Sequence, residues 1–170
     1  MKLHTSKKWY FHLLYYKLLK LSRFFTNNFF GLKNHKFLFI LSPPFCGSTL
    51  LNQLLSTSKN LSCNNHLGVR EGQLLPEVKD IMIYNKGWHE KVNYPWGKIK
   101  QIWMKYWDQR KAILLDKTTT NIMRVSEIKE TFNNSVFIAM VRNPYAQVEG
   151  LIRRTGATVE YAAKFSLMCL

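Results

Sequence analysis

The segment from Leu41 to Leu50 combines prolines, hydroxyl side chains and a glycine in a pattern that suits anion binding. It reads LSPPFCGSTL, follows a short apolar run and precedes leucines at helical spacing. In a turn between a strand and a helix, backbone N–H groups converge on one spot and the helix N-terminus adds partial positive charge. Gly47 would permit close backbone approach, and Ser48 and Thr49 could donate hydroxyl bonds. The segment therefore predicts a site for a phosphate-like or sulfate-like group, with a simple helix-capping turn as the alternative.

The same segment differs from the P-loop of nucleotide triphosphatases. That loop requires the pattern G-x-x-x-x-G-K-[ST]. Here no Lys follows Gly47, and the first Gly of the pattern is absent. The turn thus indicates anion binding without the triphosphatase signature.

Three apolar runs predict the buried strands that must hold this turn in place. They cover residues 36–41, 112–116 and 136–141. Helices are predicted after Gly47 and at about 97–109, 121–131, 144–154 and 158–169. The stretch between residue 60 and the helix at 97 predicts irregular structure. Because the strands are apolar throughout and alternate with helices, we expect an α/β, P-loop-like, three-layer fold with a central parallel sheet flanked by helices.

Length and composition limit the class of protein. The chain has 170 residues, of which 46% are hydrophobic and 21% charged, which excludes a disordered polar chain and allows one domain with appendages. The three cysteines, at positions 46, 63 and 169, form no CxxC pair, so a disulfide scaffold and a zinc ribbon are not expected. Free thiols favour a reducing compartment, and we expect a cytoplasmic location.

Positive charge is concentrated at the N-terminus. The chain carries 25 Lys and Arg against 10 acidic residues, and residues 1–36 hold eight basic residues and no acidic one. The apolar run from Trp9 to Leu21 is interrupted by Lys17 and Lys20 and is too short to cross a bilayer, which needs about 20 residues. No small-residue cleavage site of a secretory signal follows it.

The spacing of apolar residues in this N-terminal segment, the leader at residues 1–34, predicts a basic amphipathic helix with an aromatic-rich apolar side. That side comprises Phe11, Leu14, Tyr15, Leu18, Leu19 and Phe25. The helix would pack on the following domain or on a partner chain, or residues 1–25 would lie on an anionic membrane surface. A turn or linker is predicted by Asn27, Asn28, Gly31 and Asn34. We therefore divide the chain into a leader and linker at 1–34 and an α/β domain at 35–170.

Three segments resemble the signatures of sulfotransferases that use 3′-phosphoadenosine 5′-phosphosulfate. FILSPPFCGSTLLNQLL resembles their 5′-phosphosulfate loop, in which P-[RK]-[SG]-G-[ST]-[ST] lies between a strand and a helix. SVFIAMVRNPYAQVEGLIRR resembles the signature that holds the 3′-phosphate, a strand that ends in Arg and is followed by a helix with a Ser. LLDKTTTNIMRVSEIKETF resembles the intervening E-K-[ST]-P-x-N stretch. The resemblance covers residues 36–155, in the order and spacing of that family.

The resemblance implies a set of functional residues. The donor-binding residues would be Pro44, Phe45, Cys46, Gly47, Ser48, Thr49, Arg142 and Gly150. Lys117 would contact the sulfuryl group or the leaving phosphate, and Glu71 would be the base for the acceptor, with His66 as the alternative base. No metal is implied, because the donor is already activated.

The chain departs from the family pattern at two of these positions and in length. Phe45 stands where the family usually has Lys or Arg, and Gly150 stands where it has Ser. Each change removes a donor aimed at an anion, which is worth roughly 1.5–3 kcal/mol when the bond is charge-assisted. Family members usually continue with a segment that closes over the adenine, so we expect that the chain is truncated and lacks this C-terminal segment.

The resemblance implies sulfuryl transfer to a hydroxyl or amine of a carbohydrate, lipid or tyrosine, with a small molecule or glycan as acceptor. Two alternatives remain at this point. One is a catalytically impaired nucleotide-binding or anion-binding protein of the same fold, and the other is a membrane-surface interaction protein. A nucleic-acid partner is not expected, since no spacing resembles a nucleic-acid module.

Overall fold

A wholly parallel sheet of four strands forms the centre of the protein, and helices flank it. The computed structural model describes residues 3–83, 86–89 and 92–169. The strands are β1 (Lys36–Leu41), β2 (Leu61–Cys63), β3 (Ile113–Asp116) and β4 (Ser135–Ala139). The α-helices are α1 (Leu3–Phe30), α2 (Ser48–Leu55), α3 (Trp96–Met104), α4 (Val125–Thr131), α5 (Pro144–Thr155) and α6 (Val159–Met168). Short 3-10 helices cover Gly72–Leu74, Lys86–Trp88 and Thr119–Met123. The expected α/β fold is confirmed.

Strands β1, β2 and β3 are largely buried, whereas β4 is only partly buried. Burial on both sides explains why β1 and β3 read as continuous apolar runs. In β1, Phe37 and Phe39 face an aromatic core that includes Trp103. Leu38 and Ile40, which alternate with them, face a second and smaller aliphatic core. Side chains on one strand therefore fill two separate layers.

The strand order is β2-β3-β1-β4, so β1 lies between β3 and β4. Phe39 of β1 pairs with Asp116 of β3, and Leu41 pairs with Ala139 of β4. The carboxyl ends of three neighbouring strands consequently meet at one edge of the sheet. In open parallel sheets, ligands bind at this edge, where the chain direction of successive connections reverses.

The structure differs from the sequence prediction in the segment that follows α2. β2 occupies Leu61–Cys63 and pairs in parallel with β3, where irregular structure was predicted. Three residues are too few to show an alternation of apolar and polar positions, so the sequence could not predict this edge strand. The helix predicted at 121–131 is also divided, because Arg124 adopts φ −133° and ψ 23° between a 3-10 helix and α4.

The N-terminal helix packs against the domain along one side. The Tyr16 hydroxyl donates to Asn65 Oδ1 at 3.0 Å, and Arg23 Nη1 lies 3.0 Å from Asp108 Oδ2. Lys20 forms an ion pair with Glu77. None of the helices in the described ranges is long and apolar enough to cross a membrane.

The helix also continues through residues that the sequence predicts to form a turn. Asn27 and Asn28 lie inside α1, which ends at Phe30. The Asn27 side chain donates to the Trp107 carbonyl at 3.0 Å and accepts from the Gln109 N–H at 3.0 Å. These two tertiary bonds offset the low helix propensity of Asn, which the sequence pattern alone could not reveal. Residues 1 and 2 of the predicted leader lie outside the described residues.

The ion pair between Arg23 and Asp108 leads to a prediction about pH. Burial alone would raise the pKa of Asp108, but hydrogen bonds from Arg110 and the charge of Arg23 hold it below its ordinary value. A depressed carboxylate pKa adds stability that is complete above the unfolded pKa of about 4 and is lost as pH falls through the folded value. We expect Asp108→Asn to lower the free energy of unfolding at neutral pH by about 1–3 kcal/mol.

Urea unfolding between pH 7 and pH 2 measures this effect. The difference between the wild type and Asp108→Asn should shrink as the wild-type carboxylate is protonated. Exposed Glu130 provides the control, and Glu130→Gln should follow the wild type. Parallel curves for the wild type and Asp108→Asn over the whole range would contradict the prediction.

Candidate active site

The turn after β1 adopts a backbone conformation that few residues tolerate. Phe45 has φ 65° and Gly47 has φ 90°, both in the left-handed region. A Cβ added to Gly47 would meet nothing within 4 Å, so the backbone angle rather than crowding favours glycine there. The open space on this side of Gly47 is where a ligand would approach.

The helix that follows this turn begins without a side-chain cap. Gly47 is the N-cap of α2, and no side chain in the described part of the chain caps it. The first N–H groups of any helix have no acceptor within that helix. The capping alternative is therefore not observed, and the turn leaves N–H groups for an anion.

A hollow of about 370 Å³ opens beside the turn. Three segments that are distant in the sequence line it. They contribute Pro44, Phe45, Gly47, Ser48 and Thr49 from the turn, Val69, Glu71 and Leu74 from the segment after β2, and Lys117 and Thr119 from the end of β3. The hollow thus brings together most of the residues that the sequence singled out, at the carboxyl edge of the sheet.

Glu71 and Lys117 form a buried ion pair in the wall of this hollow. Lys117 Nζ lies 3.0 Å from Glu71 Oε1, and the exposed fractions of the two side chains are 2% and 7%. Gln73 Nε2 donates to the other carboxylate oxygen of Glu71. Neither residue is a solvated surface charge, and together they place a cation and a hydrogen-bond-accepting carboxylate side by side.

Asp116, which immediately precedes Lys117, holds the walls of the hollow together. Its side chain is fully buried and accepts five hydrogen bonds. Asn64 and Asn121 donate from their side chains at 2.8 Å each, and the N–H groups of Gly72 and Thr118 donate at 3.0 Å each. Burial raises the pKa of Asp116, and the bonds from Asn64 and Thr118 oppose that rise.

Gly72 is required for this arrangement. A Cβ at Gly72 would lie 2.2 Å from Asp116 Oδ1 and 2.5 Å from Asn64 Nδ2, so no larger residue fits. Sequence reasoning missed Asp116, Asn64 and Gly72. The available signal was an acidic residue at the end of an otherwise apolar strand.

Arg142 and Gly150 both lie next to Phe45 of the turn. Arg142 Nη1 donates to the Phe45 carbonyl at 2.9 Å. A Cβ at Gly150 would lie 3.4 Å from Phe45 Cβ, which shows how closely α5 approaches the turn. Neither residue is among those that line the hollow in the described part of the chain. Cys46, which lies in the turn, is also buried, and burial raises the pKa of its thiol.

A second hollow of about 600 Å³ lies on the other side of Phe45. Pro44 and Phe45 line both hollows, and the second also has an aromatic wall. The Trp88 and Phe165 ring centroids are 4.9 Å apart in an edge-to-face arrangement, and Tyr161 stacks on Phe165. Trp88 lies in this wall. Trp96, Trp103 and Trp107 belong to the core.

His66 is not part of either hollow as described. Its Nδ1 lies 3.3 Å from Cys63 Sγ, and burial lowers its pKa. Of the two residues considered as bases, Glu71 lines the first hollow, and His66 is not among the described residues that line it.

The donor set of the first hollow fits a sulfated or phosphorylated ligand. Lys117 supplies a cation and α2 supplies N–H groups. Thr119 Oγ1 is buried and has no hydrogen-bond partner among the described residues, so a hydroxyl donor is available in the wall. Within the described ranges, no group of three or more His, Cys, Asp or Glu is arranged to hold a metal ion.

Comparison with protein-family models identifies a family for this chain. A model described as the sulfotransferase family matches residues 38–167, which is most of the chain. Comparisons with curated proteins and with solved structures gave no significant match. The matched range begins in β1 and includes the turn, the ion pair and α5.

The buried carboxylate of Asp116 leads to a prediction about stability. Replacing it by Ala leaves several buried donors without an acceptor. We expect Asp116→Ala to reduce the free energy of unfolding by about 3 kcal/mol or more, measured by urea denaturation. Exposed Asp80 provides the control, and Asp80→Ala should cost less than about 0.5 kcal/mol. Equal losses for the two variants would show that Asp116 does not organise the site.

Proposed function

Because the chain belongs to the sulfotransferase family, we propose that it binds 3′-phosphoadenosine 5′-phosphosulfate at the first hollow and transfers the sulfuryl group to an acceptor hydroxyl or amine. One observation supports this most directly: the turn, Glu71 and Lys117 line a single hollow although they are far apart in the sequence. An anion cradle, a buried cation and a buried base are the groups that such a transfer needs.

The turn and Lys117 would bind the charged end of the donor. The N–H groups at the start of α2 would donate to the 5′-phosphosulfate, and Ser48 and Thr49 would add hydroxyl bonds. Lys117 is held in place by Glu71, so its ammonium group is already oriented before the donor arrives. Arg142 donates to the Phe45 carbonyl and would stabilise the turn, while its remaining N–H groups would serve the 3′-phosphate.

The chemical step is a direct displacement at sulfur. The acceptor oxygen or nitrogen forms a bond to sulfur as the bond from sulfur to the 5′-phosphate oxygen breaks. Lys117 would stabilise the negative charge that develops on the leaving oxygen, as cations do in phosphoryl transfer. Glu71 would accept the proton that the acceptor loses. The side chain that would accept the proton and the side chain that would stabilise the leaving oxygen are thus in contact with each other.

The second hollow would receive the acceptor. It adjoins the first hollow at Phe45, and its wall contains the rings of Trp88, Tyr161 and Phe165. Aromatic rings pack well against the apolar side of sugars, tyrosine and lipid chains. This position supports a small molecule or glycan as acceptor. The three cysteines are free, which supports a reducing, cytoplasmic setting.

A second candidate function is binding of the nucleotide without transfer. Phe45 favours it, since an apolar ring takes the place of the cation that family members usually have beside the sulfuryl group. In that case the protein would bind adenosine 3′,5′-bisphosphate and the sulfated donor, and no acceptor would become sulfated.

Substitution of the ion pair tests the proposed chemistry. We expect Lys117→Met to reduce sulfuryl transfer on the order of 100-fold or more, because it removes the buried charge that faces the leaving oxygen. We expect Glu71→Gln to reduce transfer by roughly the same factor and to leave donor binding within a few-fold. The rate of transfer is measured with radiolabelled donor and a panel of sugars, phenols and lipids as acceptors. Donor binding is measured by calorimetry.

The control is Lys129→Met on the exposed side of α4, which should retain full transfer. Thermal unfolding of each variant checks that the fold is kept. Transfer by Lys117→Met at the wild-type rate would remove Lys117 from the mechanism. Donor binding by the wild type with no transfer to any acceptor would favour the second candidate function.

The residue at position 45 provides a gain-of-function test. We expect Phe45→Lys to tighten donor binding by roughly 10- to 150-fold, since it adds a charge-assisted hydrogen bond worth about 1.5–3 kcal/mol. Lys and Phe carry the same backbone cost at φ 65°, so the change adds no new strain there. Phe45→Met, which removes the ring and adds no charge, is the matched control. Equal donor affinity of the two variants, measured by calorimetry, would show that position 45 does not face the anion.

A further inference from the structure

The N-terminal helix has two opposite sides with different surroundings. One side faces the domain through Tyr16, Arg23 and Asn27, which make the contacts described above. At 3.6 residues per turn these three positions fall within about 40° of arc. The domain therefore covers one side of α1 and leaves the other side to solvent.

The uncovered side carries a continuous row of large apolar residues, the outer stripe. Its members are Phe11, Leu14, Leu18, Leu21, Phe25 and Phe29. Their exposed fractions range from 53% to 76%. The stripe falls within about 80° of arc, centred about 180° from the domain-facing side, and is about 27 Å long at 1.5 Å per residue. Single exposed apolar residues are ordinary, but a row of this length indicates an interaction surface.

Charge distinguishes the possible occupants of the outer stripe. Residues 1–36 contain eight basic residues and no acidic residue. Lys20 and Arg23 are paired with Glu77 and Asp108 of the domain, whereas Lys17 of α1 takes part in no ion pair among the described residues. The same holds for Lys33 and Lys36, which follow the end of the helix. A second copy of α1 would bring the same positive charge and no carboxylate to pair with it. An anionic lipid surface would supply the missing negative charge.

We propose that α1 docks the protein on an anionic membrane surface and lies in the plane of that surface. The outer stripe would enter the boundary between headgroups and acyl chains, and Lys17, which is exposed and lies about 40° from the edge of the stripe, would contact lipid phosphates. Aromatic and leucine side chains on one side of a basic helix are typical of this binding mode. The domain stays on the opposite side of the helix and in water. This inference does not depend on the proposed sulfuryl transfer.

Sedimentation of the full chain with lipid vesicles tests the proposal. Vesicles of phosphatidylcholine alone are compared with vesicles that contain about one third phosphatidylserine. At about 0.1 M salt, where the Debye length is about 10 Å, we expect at least tenfold more binding to the anionic vesicles. At 1 M salt the preference should largely disappear, because the Debye length falls to about 3 Å.

Leu18→Glu tests the outer stripe, and Leu54→Glu is its matched control. Both residues are leucines on helices, with exposed fractions of 57% and 59%, and both changes add the same charge. We expect Leu18→Glu to reduce vesicle binding more than tenfold and Leu54→Glu to reduce it less than threefold. Since Leu18 is exposed, circular dichroism and thermal unfolding should show that both variants keep the fold.

Three results would overturn the proposal. They are equal binding to neutral and anionic vesicles, no binding to either, and equal vesicle binding by Leu18→Glu and Leu54→Glu. Analytical ultracentrifugation without lipid adds a fourth. If the wild type is a dimer that Leu18→Glu dissociates, the occupant of the outer stripe is a second copy of the chain. None of these measurements uses the donor or an acceptor, so their outcome is independent of the transfer assays.

Discussion

The carboxylate of Asp116 is the point at which the candidate site is assembled. Its five hydrogen bonds connect the end of β3 to the segment after β2 and to the 3-10 helix that begins at Thr119. A buried carboxylate is costly unless its oxygens are satisfied, so this network specifies one arrangement of the three segments. Because Lys117 follows Asp116 and Glu71 precedes Gly72, the same network also sets the positions of both members of the ion pair. The arrangement of side chains at the surface of the hollow therefore depends on Asp116, which is not among the described residues that line it.

The buried ion pair of Glu71 and Lys117 is weak evidence for stability, and the role that we propose for it lies in the transfer step. Burying two charges costs several kcal/mol in desolvation, and their attraction repays that cost only when the geometry is good. Glu71 and Lys117 meet at 3.0 Å with Gln73 on the second oxygen, so the charges are satisfied in the absence of a ligand. A site whose charges are already oriented spends little free energy on reorganisation when charge develops in a transition state. Preorganisation of this kind is the largest contribution to catalysis in many enzymes.

The sequence predicts the framework of the site better than its interior. β1 and β3 could be identified because strands that are buried on both sides of a parallel sheet have continuous apolar sequences. The turn at Gly47 could be identified from its prolines, glycine and hydroxyl residues. The edge strand at Leu61–Cys63 is too short for a period. Asn27 has a poor intrinsic helix propensity, and its bonds to Trp107 and Gln109 are tertiary contacts that no local pattern contains. The convergence of Asn64, Gly72 and Asn121 on Asp116 likewise depends on three-dimensional proximity. Glu71 and Lys117 were found through a family resemblance, and that resemblance did not indicate that they contact each other.

Phe45 forms part of the wall of both hollows, and its carbonyl oxygen accepts a hydrogen bond from the Arg142 guanidinium. Under the proposed function, selection at this one position would therefore act on the binding of both the donor and the acceptor. A side chain that enlarges one hollow would reshape the other, so the proposed preferences for a donor nucleotide and for an acceptor could not change independently. Evolution of a new acceptor specificity in this protein would be expected to proceed through α6, where Tyr161 and Phe165 border the second hollow alone.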